Sequence, residues 1–71
     1  MMESIEFEIE GEFIELFKLL KASGVCSTGG EAKMHIEDGE VRVNGEIETR
    51  KRRKVHSGDD VEIFDTHLNV I

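Results

Sequence analysis

The residues in this chain best equipped for chemistry are five consecutive cations, Arg50-Lys51-Arg52-Arg53-Lys54. The formal net charge is −7, so the residues outside this run carry −12, and five of the nine Lys and Arg lie in one short segment. Neighbouring like charges repel, and selection for stability alone seldom gathers them. A charge run is commonly a solvated loop. Against so acidic a background, this one reads instead as one side of an anion-binding surface. Arginine offers a planar fork that grips phosphate oxygens through two hydrogen bonds, and lysine supplies a point charge.

The other reactive side chains do not assemble into a recognisable centre. His35, His56 and His67 have no metal-ligand spacing among themselves or with Cys26. No Ser-His-Asp or phosphate-loop pattern occurs, and the carboxylates scatter over outward faces. The expectation is a protein that is not an enzyme and holds no metal or cofactor. Cys26 is alone, which excludes an intrachain disulfide, and reads as a small buried residue. His56, beside the run, would add to anion binding when protonated. The chain has no Trp or Tyr, and Phe7, Phe13, Phe17 and Phe64 all fall at core-like positions. Stacking of bases on exposed rings is therefore not expected.

Positioning these residues requires a fold, and 71 residues suffice for one domain, expected over 1–71. A chain of this length buries only about 60% of its unfolded surface, so the core is thin. A 38% hydrophobic fraction and the lack of proline still fit a folded domain. Glu3, Glu6, Glu8 and Glu10 interrupt any apolar leader, and no segment approaches the ~20 apolar residues of a membrane span. A cytoplasmic, reduced, monomeric protein is expected.

Ile5, Phe7 and Ile9 alternate with Glu6 and Glu8, the pattern of a strand over 4–9. Past Gly11, the residues Phe13, Leu16, Phe17 and Leu20 follow helical spacing and predict a helix over 12–22. Glu12 and Glu15 would lie early in it, Lys18 and Lys21 late, with Ser23-Gly24 as the stop. Thr28 followed by Glu31 predicts a reciprocal capping box opening a second helix, which ends at Gly39 and turns Ala32 and Ile36 inward. Gly29 and Gly30 leave its first amides uncovered, which would let a phosphate approach. Lys33 is expected to face solvent. Residues 41–49 read as a hairpin. A two-residue turn at Asn44-Gly45 would set Ile47 opposite Arg42. A three-residue loop over 43–45 pairs Arg42 with Glu46 and Val41 with Ile47, and is preferred. A turn at Ser57-Gly58-Asp59 precedes a strand with Val61 and Ile63 inward. Phe64, Leu68, Val70 and Ile71 are expected to return apolar surface to the core. The order is β-α-α-β-β-β, an α+β domain.

Glu31-Ala32-Lys33, then Ile36, Gly39, Val41, Val43-Asn44-Gly45 and Gly58-Asp59 with Val61, resembles the S4-type RNA-binding domain, or αL motif, over residues 13–64. The small stand-alone bacterial members are the most similar. The resemblance implies two packed helices followed by a small, mainly antiparallel sheet, with structured RNA, possible ribosomal RNA included, on the helix-loop-hairpin face. It implies RNA contacts from Lys33, from Arg42 and from Arg50, Lys51, Arg52, Arg53 and Lys54. Thr28, Gly30, Glu31, Gly39, Asn44, Gly45, Gly58 and Asp59 would be its structural positions. Many members carry an Arg directly after the cap, where this chain has Gly29. The late strands also resemble small β-grasp sulfur carriers. Those end in Gly-Gly, whereas this sequence ends Asn69-Val70-Ile71, so the alternative is an acidic β-grasp-like protein-interaction module without a nucleic-acid ligand.

Overall fold

The computed structural model describes residues 3–71. Strand β1 (Glu3–Phe7) leads to a short β2 (Ile14–Glu15) and helices α1 (Leu16–Ala22) and α2 (Gly29–Glu37). Then come β3 (Val41–Val43), β4 (Glu46–Ile47), β5 (Lys54–Val55), β6 (Asp60–Ile63) and β7 (Thr66–Val70). Five strands form one sheet in the order β1-β7-β6-β3-β4, and β2 pairs with β5 in a separate two-stranded ladder. All pairings are antiparallel except β1 with β7. The α+β class and the mainly antiparallel sheet agree with the sequence. The strand order is richer than expected by β2, β5 and β7.

The core is thin and continuous. Leu16, Leu19 and Leu20 of α1 and Ala32 and Ile36 of α2 pack on Val41, Val43, Val61, Ile63, Leu68 and Val70 of the sheet, with Cys26 and Val55 filling the margins. Alternation puts Arg42, Glu62 and His67 on the opposite, outward side of the same strands. Burial followed by the nearby Glu31 carboxylate pushes the Cys26 thiol up, in keeping with a packing role.

Helix α1 starts later than its apolar spacing predicts. Ile14 and Glu15 are drawn into extended pairing with Val55 and Lys54, so the helix begins only at Leu16. Glu15 becomes the flanking cap residue and no acidic residue occupies the first turn. Phe13, left outside the helix, is 40% exposed rather than core, and Phe64, at φ 55° in the β6–β7 turn, is 57% exposed. Ile71 is also exposed. Both helices stop at the expected glycines, Gly24 at φ 84° and Gly39 at φ 77°.

Thr28 caps α2 through its Oγ1, which accepts from the Glu31 amide at 3.1 Å. The return half of the capping box is replaced: the Glu31 carboxylate lies 3.9 Å from His35 Nε2. The hairpin register also differs from expectation. Arg42 faces Ile47 and Val43 faces Glu46 across a two-residue turn. Asn44 and Gly45 have φ of 53° and 84°, the left-handed pair that matches strand twist in such a turn. Matching Ile47 with Val41 would gain little, because Ile47 sits on an edge strand and is 59% exposed. The turn is tied down elsewhere. Asn44 Nδ2 donates to Asp59 Oδ1 at 3.1 Å, and the Asp60 amide donates to Asn44 Oδ1 at 2.9 Å. Hydrogen bonds from the backbone amide of His56 and from the side chain of Asn44 hold the Asp59 carboxyl below its ordinary range.

Candidate nucleic-acid interface

The basic run is docked onto the helices. The Leu16 amide donates to the Arg53 carbonyl at 2.9 Å and the Phe17 amide to the Lys51 carbonyl at 3.0 Å. Helix α1 has no side-chain cap, so these carbonyls satisfy amides that would otherwise be orphaned. The arrangement brings five cations to the positive end of a helix dipole, which by itself is unfavourable. Three carboxylates offset the repulsion. Glu48 pairs with Arg50 Nη2 at 3.0 Å and Arg53 Nε at 3.4 Å, Glu37 with Lys51 at 3.7 Å, and Glu15 with Arg52 at 4.0 Å.

Phe17 organises the helical side of this surface. Its half-buried ring has Lys33 Nζ 4.6 Å from the centroid, with Lys18 Nζ and the Arg52 guanidinium both at 5.9 Å. Cations from α1, from α2 and from the loop before β5 thus converge on one ring, each such contact contributing about 0.5–1 kcal/mol at an exposed site. Gly29 lies against the same ring: a Cβ there would sit 3.7 Å from Phe17 Cδ2. Lys33 therefore does not extend freely into solvent, as its sequence position suggests; it leans over Phe17.

The run splits into two flanks. Lys51, Arg52 and Lys54 face the helices, Lys54 with its Nζ 4.9 Å from the Phe13 centroid. Arg50 and Arg53 face the hairpin across Glu48 and line a groove of about 250 Å³ with Asn44 and Glu46. Arg42 stands apart, on the outward face of β3 with Ile47 and Glu62 as cross-strand neighbours. His56 lies 6.2 Å from Phe13, ring to ring, and 3.9 Å from the Asp59 carboxylate. Gly30, Glu31, Gly39, Asn44, Gly45, Gly58 and Asp59 serve the cap, the helix stop and the turns. Reading the sequence missed Lys18, Phe17 and Phe13. The only hint was their spacing, with Phe13 and Phe17 four apart and Lys18 adjacent. Among the described residues no group of three or more His, Cys, Asp or Glu could hold a metal ion, and no helix is long and apolar enough to cross a membrane.

Known proteins resemble this chain in sequence and fold. The sequence model described as the S4 domain matches residues 7–71, a span that includes the late strands which also resembled a carrier module. YbcJ of Escherichia coli is 40% identical over 58 residues, 82% of this chain and 83% of YbcJ. A probable ribosome maturation protein of Bacillus subtilis, RlbA, is 44% identical over 55 residues, 78% of each chain. The solution structure of YbcJ, described as having an αL motif involved in RNA binding, superposes with a TM-score of 0.70 at 34% identity, covering 100% of this chain and 89% of that one. By the extent of these matches, the chain belongs to the S4 domain family.

Proposed function

We propose that this protein binds structured RNA, without catalysis, through the basic face on which Lys18, Lys33 and Arg52 meet around Phe17 and which the rest of the 50–54 run extends. The observation that carries the reading is that convergence of cations from three separate elements on one ring. Backbone docking of the run supports it, since ordered cations lose less entropy on meeting phosphates than a free loop would. So does family membership, with one relative described by an RNA-binding motif and another named for ribosome maturation. The latter points to ribosomal RNA, or a precursor of it, as the first RNA to try. The protein would act as a single cytoplasmic domain over 1–71, as a monomer. Arg50 and Arg53 would grip phosphates from the hairpin side, and Arg42, on the other face of the sheet, would contribute least.

The test is binding of a structured ribosomal RNA fragment at low salt by Lys33→Glu and by a double reversal, Arg50→Glu with Arg53→Glu. Each should weaken binding at least tenfold, while Arg42→Glu should change it little. Unaltered affinity in both of the first two variants defeats the proposal.

A further inference from the structure

Phe13 is an exposed aromatic ring in a basic setting. It lines a cleft of about 340 Å³ together with Ile14, Glu15, Lys18 and Lys54, at the small end of ligand-sized clefts. Lys54 Nζ lies 4.9 Å from its centroid and the His56 ring stands at 6.2 Å, tilted by 50°. Glu15, the one carboxylate in the cleft, is already engaged by Lys18 at 3.1 Å and Arg52 at 4.0 Å. The cleft adjoins the basic face, because Lys18 reaches both rings' surroundings.

A single exposed ring is not unusual, so the 40% exposure of Phe13 carries weight only together with the charge around it. Phe64 provides the contrast. It is more exposed, at 57%, but its pocket holds Arg42 against two carboxylates, Glu40 and Glu62, and so is net negative. On the side of Lys18 and Lys54, Phe13 combines an exposed ring with a net positive cleft, the pairing used to hold an unstacked nucleotide, while Glu8 and Glu10 flank its other side.

Resting on the RNA-binding reading above, we infer that the Phe13 cleft takes a single unpaired nucleobase, stacked on the ring, with Lys18 and Lys54 meeting its phosphates. Lys54 leaves the ring face when the base arrives; being exposed, it can move at little cost. The protein thus distinguishes a helix with a bulged nucleotide from an uninterrupted one, in addition to sensing backbone charge.

The probe is a hairpin RNA with one bulged adenosine, compared with the same hairpin fully paired. The expected result is a preference of roughly tenfold for the bulged form, in line with the usual strength of base–aromatic stacking. Phe13→Leu should abolish that preference, bringing affinity for the bulged hairpin down to that for the paired one, and Phe64→Leu should keep the preference intact. Because the chain has no tryptophan, Phe13→Trp places a lone indole in the cleft. Its emission should be quenched by the bulged hairpin and not by the paired one, a readout that stands even if the leucine variant folds poorly. Equal wild-type affinity for the two hairpins, or an unquenched indole, overturns the stacking inference and leaves RNA binding intact. Failure to bind either hairpin at low salt overturns both.

Discussion

Glu48 is the residue that makes a cluster of cations tolerable on the hairpin side. Its side chain is only 12% exposed, and it accepts from the Arg50 amide at 2.9 Å and from Arg50 Nε and Nη2 at 3.0 Å each. Hydrogen bonding from Arg50 leads the causes that lower its carboxyl from 4.5 to about 2, and burial opposes them. The group titrates below its unfolded value, so the stability it contributes is fully present above about 4.5 and is lost as pH falls towards about 2. Denaturant midpoints followed over that interval should fall more steeply for the wild type than for Glu48→Gln, which cannot titrate there. Parallel curves would show that the Arg50–Glu48 fork does not stabilise the fold. The same fork holds Arg50 in place while its outer edge stays open to a phosphate.

The two helices begin by different physical means, and that difference matters for the site. Helix α2 carries its own cap in Thr28, a bond of local origin. Removing it with Thr28→Ala should cost about 1 kcal/mol in chemical denaturation. A curve that does not move would refute the role of that hydroxyl. Helix α1 borrows its cap from carbonyls of the basic run, so the site and the helix start are one structural unit. The two-stranded ladder of β2 and β5 fastens that unit, placing Glu15 against Lys54 and Ile14 against Val55. The signature positions Asn44 and Asp59 work in the same way at the other flank, joining the hairpin turn to the start of β6.

Across the whole molecule, Lys18, Lys33 and the five cations of the run face the carboxylates of Glu15, Glu37 and Glu48, an excess of four positive charges on a chain of net charge −7. If that excess is met by about four phosphates, the affinity should fall with a log-log salt slope of roughly −3 to −4. Titrations of a structured RNA between low and physiological salt will measure it, and a slope near zero would contradict binding by this face. The acidic remainder would repel RNA presented to the wrong side, so orientation as well as affinity follows from the distribution of charge. What could be read from residue order was local: the alternation of Val61 and Ile63, the stops at Gly24 and Gly39, the Thr28 cap, the anomaly of the run and the S4-like offsets. Apart from the S4-like offsets, which run from Glu31 to Val61, such features depend on neighbours a few positions away. The parallel seat of β1 on β7, the two-residue register at Asn44-Gly45, the exposure of Phe13 and the gathering of cations on Phe17 depend on segments distant in the chain. Helical spacing alone could not reveal that Ile14 and Glu15 would pair with a strand forty residues on, because that competition is decided only when the backbone hydrogen bonds of both segments are satisfied together.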